Sequence, residues 1–197
     1  MQLVILMVVI QSIDVLIYDK CLAMKIEGIK DPQLISEDGE VLHDNIEGLI
    51  IHRTPPVEDE RGELVEIFRS SWNIHPEALV YAYFVSIRPK KVKGWVVHKL
   101  QDDRIFVANG TQLWAFFDNR ESSKTYKKFF KVTVSEKNRA LIIIPAGVYH
   151  AVQNIGTSDA QFVNLPTKAY NRNSPDKYRL PLKNDLIPFD FSSNGGI

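Results

Sequence analysis

The sequence predicts an all-β domain built from antiparallel strands closed into a barrel. Three observations carry that reading. Runs of β-branched and aromatic residues with a period of two dominate the chain after residue 46. Turn residues separate them at intervals of roughly 8–12 residues. No long apolar pattern of helical period interrupts the series.

The elements follow in order. Residues 46–53 form a short strand that ends at Pro55-Pro56, because proline removes a ladder donor. Asp59-Glu60-Arg61-Gly62 is a turn, and residues 63–68 alternate imperfectly around charged neighbours. A short helix is expected over residues 71–79. Strands are expected over residues 80–87, 94–98, 104–107, 111–117, 128–134, 140–144, 149–154 and 160–165. Asn109-Gly110 reads as a hairpin turn, since both residue types tolerate positive φ.

Composition fits an ordinary globular protein. Of 197 residues, 45% are apolar, and 24 basic residues balance 24 acidic ones. A formal charge of zero gives no reason to expect nucleic acid or an anionic membrane as partner. The single cysteine, Cys21, cannot close an intrachain disulfide, which fits a reducing, cytoplasmic setting. The apolar start of the chain is shorter than the ~20 residues of a bilayer span, and it lacks the basic residue and cleavage site of a signal peptide. Residues 1–23 then read either as an extension ahead of a second start at Met24 or as part of the protein. A single domain over residues 24–191 follows, with a flexible tail at 192–197.

Chemistry first shows in Pro145-Ala146-Gly147-Val148-Tyr149-His150, followed by Asn154. This Pro-x-Gly-x-x-His-x-x-x-Asn string resembles the second signature of the cupin superfamily. The resemblance implies a jelly-roll barrel with His150 directed into its cavity. The first cupin signature is matched in part, with Val96 at its first histidine position, then His98, Asp103 and Gly110. On one reading, His98, Asp103 and His150 make a two-histidine, one-carboxylate metal site. Arg104, next to Asp103, argues against it if the two side chains pair.

A narrower resemblance spans residues 50–190. Residues 59–68, the Asp118-x-Arg120-x-x-Ser123-x-Thr125-Tyr126 stretch, residues 144–150, Thr167-x-x-Tyr170 and residues 185–189 are similar, in order, to motifs of the dTDP-4-dehydrorhamnose 3,5-epimerase family. That likeness implies a homodimeric cupin without a cofactor that acts on a deoxysugar carried by thymidine diphosphate. The chemistry it implies is proton abstraction beside a keto group, followed by reprotonation from the other face. Carried over by residue, Tyr170 takes the acid position, and His150 matches the histidine after the Pro-x-Gly turn. Arg61 and Glu66 match residues that seat the nucleotide, and Arg104 is the nearest match to the basic residue beside the sugar. The family's base position falls on Val96, and the aspartate that orients the base falls on Leu180. His98, two residues along the same strand face, is a displaced base. The related sugar-nucleotide 3,4-ketoisomerases match Gly94, His98 and Lys99. Catalytic His98, His150 and Tyr170 with binders Arg61, Glu66 and Arg104 form the leading reading. A metal-dependent enzyme using His98, Asp103 and His150, and a non-catalytic carbohydrate-binding or structural cupin, are its alternatives.

Other residues read plainly. Trp95 and Trp114 are barrel core rather than a stacking platform. His43, His52 and His75 are structural or exposed. Lys124, Lys127, Lys128 and Lys131 mark a solvated strand face.

Overall fold

A computed structural model describes residues 33–38 and 45–191. The chain divides into two units, Met1–His43 and Asp44–Ile197. Only residues 33–38 of the first are described; they are extended and then turn. Expectations for residues 1–23, His43 and residues 192–197 lie outside the described residues.

The second unit is a series of strands: β1 (Ile50–Arg53), β2 (Val57–Asp59), β3 (Gly62–Leu64), β4 (Tyr83–Ile87), β5 (Val92–Val97), β6 (Asp103–Asn109), β7 (Gln112–Asp118), β8 (Phe129–Val134), β9 (Ala140–Ile144), β10 (Val148–Asn154), β11 (Ala160–Asn164) and β12 (Tyr178–Arg179). They form two five-stranded antiparallel sheets, ordered β1-β9-β6-β11-β4 and β12-β5-β10-β7-β8, plus a separate β2-β3 hairpin.

The all-β class is as expected, but the closed barrel is not. Among the described residues each sheet keeps two free edges: β1 and β4 pair only with β9 and β11, and β8 and β12 only with β7 and β5. No ladder joins one sheet to the other among those residues, so the two do not close. Asn109-Gly110 also departs from expectation, because β6 already pairs with β9 and β11 and has no edge left for β7. The turn instead carries the chain across to the other sheet. The helix expected over residues 71–79 shrinks to a single 3-10 turn, Ser70–Trp72, that ends at Asn73 in the left-handed region. Pro76 follows and disfavours helical geometry at His75.

Strand alternation distributes the apolar residues over three layers. Ile105, Val107, Trp114, Phe116, Ile142 and Val152 meet in one cluster. On the far side of the second sheet, Trp95, Ala115, Phe117 and Ala151 are covered by Ile187, Phe189 and Phe191. On the far side of the first, Phe106, Leu141 and Leu165 meet Val65, Phe68, Trp72 and Ile74. Central strands are therefore buried on both faces, and every residue of β7 is buried. Trp95 and Trp114 are core residues, with 0% and 1% exposure.

Candidate active site

The site begins at the Pro145 turn. Val148 N–H donates to Pro145 O at 3.2 Å, and Gly147 N–H donates to the carbonyl of His98 at 2.7 Å. Gly147 has φ +83, a conformation other residues adopt at a cost. Ala146 N–H donates to Asp102 Oδ1 at 2.8 Å, and Asp102 Oδ2 lies 3.1 Å from His75 Nε2. His75 is thus a structural histidine, as expected. The turn fixes where β10 starts and ties it to the end of β5.

On β10, His150 stands opposite Val96 of β5 and Phe116 of β7. Gly94 allows β5 to approach this closely: its φ is +143, and a Cβ there would sit 2.3 Å from Ala151 Cβ and 2.6 Å from Ala151 Cα. The chain leaves β5 at His98 and returns in β6 at Asp103, which brings a carboxylate back beside the imidazole. His98 Nε2 lies 3.3 Å from Asp103 Oδ2, and His150 Nε2 lies 3.5 Å from the same oxygen. The two rings stack with centroids 5.7 Å apart. All three side chains are buried.

Both remaining ring nitrogens face backbone carbonyls, His150 Nδ1 that of Val148 at 3.2 Å and His98 Nδ1 that of Asp176. The Asp176 carboxylate in turn accepts from Lys99 N–H at 2.9 Å and Leu100 N–H at 2.7 Å. Burial disfavours a charged His98, but the Asp103 carboxylate and the Asp176 carbonyl outweigh it and raise its pKa. Burial likewise opposes ionisation of Asp103, yet the His150 and His98 imidazoles beside it hold its carboxyl far below the usual range.

Two chambers meet here. The inner one, about 280 Å³, lies between the sheets and is lined by Tyr83, Asp103 and Asn164 from the first sheet and by Val96, Trp114 and His150 from the second, with Lys93, Lys177 and Arg179 among its other walls. The outer one, about 380 Å³, is lined by Tyr81, Gln101, Lys168, Tyr170 and Asp176. Tyr83, His98, Lys177 and Arg179 border both. Desolvation and the neighbouring Arg179 lower the pKa of Lys177.

His98, Asp103 and His150 come together, and Tyr170 lies in the outer chamber with half its surface exposed. The other sequence candidates lie elsewhere. Arg61 is on the β2-β3 hairpin, paired with Asp59 at 2.5 Å, and Glu66 is paired with Arg69. Arg104 does not stand beside the cavity, because alternation along β6 sends it to the opposite face from Asp103. There its guanidinium donates to the carbonyls of Leu165, Glu77, Ala78 and Pro166. Asp103 is consequently free of Arg104.

Reasoning from sequence missed Tyr83, Asn164, Lys177 and Arg179. Inward polar residues on strands carry no motif of their own. The Asp118-Arg120-Ser123-Thr125 stretch proves to be a structural knot around the buried Asp118 carboxylate.

The dTDP-4-dehydrorhamnose 3,5-epimerase family profile matches residues 43–185. The chain belongs to this family. It is 32% identical over 136 residues to the probable low-salt glycan biosynthesis epimerase of Haloferax volcanii, covering 68% of this chain and 87% of that protein. It is 28% identical over 148 residues to the spore coat polysaccharide biosynthesis protein SpsL of Bacillus subtilis, covering 75% and 97%. A crystal structure of a dTDP sugar isomerase from Desulfovibrio desulfuricans shares the fold, with TM-score 0.71, 23% identity and coverage of 76% and 94%. The protein is an epimerase-like cupin enzyme acting on a keto-sugar nucleotide. Val96 stands opposite His150 on β5, and the carboxylate that accompanies the histidines is Asp103 on β6. Among the described residues no helix is long and apolar enough to cross a membrane.

Proposed function

We propose that the chain inverts a carbon beside the keto group of a nucleotide-linked sugar, with His150 as general base and Asp103 as its electrostatic partner. One observation carries this assignment: a single buried carboxylate oxygen lies within 3.5 Å of Nε2 of both histidines, at the wall of the inner chamber. With the His150 proton on Nδ1, directed at Val148 O, the Nε2 lone pair is left to take a proton from carbon. Asp103 then stabilises the imidazolium that forms. Asp103 and the Asp176 carbonyl face the two nitrogens of His98 and raise its pKa, so that when His98 is protonated it balances the Asp103 charge. Lys93, Lys177 and Arg179 supply positive charge for the developing enolate. The outer chamber takes the nucleoside diphosphate, with Lys168 and Arg179 facing the phosphates and Tyr170 offering a ring face.

The test is deuterium uptake from D2O into 4-keto-6-deoxy sugars on thymidine diphosphate. His150→Asn is expected to slow exchange at least about 100-fold. Exchange at the wild-type rate in that variant overturns the assignment.

A second reading rests on the donor set itself. Ligand atoms of His98, Asp103 and His150 all lie within 4.8 Å of one another, and each histidine has its other nitrogen at a carbonyl, the usual arrangement around a bound metal. A divalent cation held there would supply Lewis acidity toward the keto oxygen. Stoichiometric metal in protein purified without added metal, lost in His98→Ala, favours this reading over the metal-free one.

The homodimer belongs to the proposal as well. It is supported by the hairpin pair Val57 and Leu64, opposite one another in register and 71% and 63% exposed. Sedimentation at the monomer mass overturns it.

A further inference from the structure

Proton abstraction from one face of a sugar ring needs a donor on the other face for inversion, and the two sheets supply facing walls. His150 belongs to the second sheet. On the first, Asn164 of β11 stands in register with Tyr83 of β4 on one side and Ile105 of β6 on the other. All three line the inner chamber. A ring lying between the sheets therefore turns one face to His150 and the other to Tyr83 and Asn164.

The polar contacts at this wall are incomplete. Asn164 is 1% exposed. Its Nδ2 donates to the Tyr83 hydroxyl oxygen at 2.8 Å, so that oxygen accepts and the Tyr83 O–H remains to donate. Asn164 Oδ1 is buried and has no partner among the described residues. A buried acceptor of this kind costs stability unless a donor reaches it, and a sugar hydroxyl is such a donor. Burial, and after it the Asp103 carboxylate, push the Tyr83 phenol up to about 12. The hydroxyl therefore keeps its proton at neutral pH.

Building on the epimerase reading above, we infer that Tyr83 is the proton donor for inversion and that Asn164 is the residue that positions it. His150 takes the proton from carbon, and the C–H pair becomes the enolate. Tyr83 O–H then delivers its proton to the same carbon from the first-sheet side, restoring the keto group and leaving a phenolate. The phenolate regains a proton from water through the outer chamber, which Tyr83 also borders, and His150 releases its proton to water. Asn164 Nδ2 holds the phenolate oxygen throughout, while Oδ1 accepts from a hydroxyl of the sugar. Tyr170, in the outer chamber, takes no part in this transfer.

The experiment compares exchange with inversion. Full-length Tyr83→Phe and Tyr170→Phe are incubated in D2O with a 4-keto-6-deoxy sugar on thymidine diphosphate. NMR then separates deuterium incorporated with retention from deuterium incorporated with inversion. Tyr83→Phe is expected to keep exchange with retention within about 5-fold of wild type and to lose inversion by at least about 100-fold. Tyr170→Phe, whatever its effect on substrate binding, is expected to keep the wild-type ratio of inversion to exchange. Asn164→Leu should lower the ratio of inversion to exchange, a ratio that loss of folded protein does not change. Inversion by Tyr83→Phe at the wild-type rate overturns the inference while leaving the epimerase reading in place, as does a Tyr170→Phe variant that still exchanges but no longer inverts. Absence of any exchange by wild-type protein with this substrate overturns both.

Discussion

Asp118 ends β7 with its carboxylate fully buried. Arg120 donates to it from its backbone at 3.0 Å and from Nε and Nη2 at 2.9 Å, Ser123 Oγ at 2.6 Å and Thr125 Oγ1 at 2.7 Å. Burial alone would raise its pKa, but Arg120, Ser123 and Thr125 bring it from 3.8 down to about 2. At roughly 1.4 kcal/mol per pKa unit, ionised Asp118 contributes about 2 kcal/mol to folding. Asp118→Asn keeps the shape, removes the charge and places an NH2 among donors. A loss of about 2–3 kcal/mol at pH 7 is therefore expected. The sign follows from linkage: a carboxylate with a lowered folded pKa stabilises fully above its unfolded pKa, and that stability is lost as pH falls through the folded value. The gap between wild type and variant should hold from pH 7 to about 4 and narrow toward pH 2. Urea denaturation followed by tryptophan fluorescence reads it, since Trp95 and Trp114 are buried. A gap below about 0.5 kcal/mol at pH 7, or one that does not narrow in acid, refutes the reasoning.

Two further substitutions test the frame of the site. Gly94→Ala places a Cβ 2.6 Å from the Ala151 backbone and should cost upward of about 3 kcal/mol in thermal or chemical unfolding. Ala151→Gly should not rescue it, because the overlap with the main chain at 151 remains. Arg104→Met strands four carbonyls and should cost about 2–4 kcal/mol, with faster proteolysis of the chain around residues 76–79. At low temperature, affinity for the sugar nucleotide measured by calorimetry should change less than about 3-fold, since Arg104 lies outside both chambers.

The strands were legible because their apolar period is a direct consequence of alternating side chains. What the period does not contain is which strand pairs with which. Asn109-Gly110 has the chemistry of a hairpin turn, yet it spans two sheets because β6 already has two partners. Barrel closure failed as an expectation for a related reason: it depends on whether edge strands meet, and β4 and β12 carry no mark that decides it. At the site, the Pro145 turn identified His150 from local chemistry alone. Asp103 was legible beside the two histidines from its place in the partly matched first signature, five residues after His98, and the turn from β5 into β6 brings it back to them. Tyr83 and Asn164 face each other only through the β4-β11 register, which brings together residues from distant parts of the chain.

The order of strands also bears on how the protein is made. β1, β4 and β5 leave the ribosome early, and their ladder partners are β9, β11 and β10 in turn. Ile50 waits for Ile143, and Val96 waits for His150. Within the two large sheets, β7 and β8 alone are both consecutive and paired among the described residues. Apart from the β2-β3 and β7-β8 pairs, the ladders among the described residues wait for β9, β10, β11 and β12. Such long-range pairing slows folding and leaves the nascent chain open to aggregation. Efficient production of this enzyme accordingly depends on holding the early strands apart until the last third of the chain has emerged.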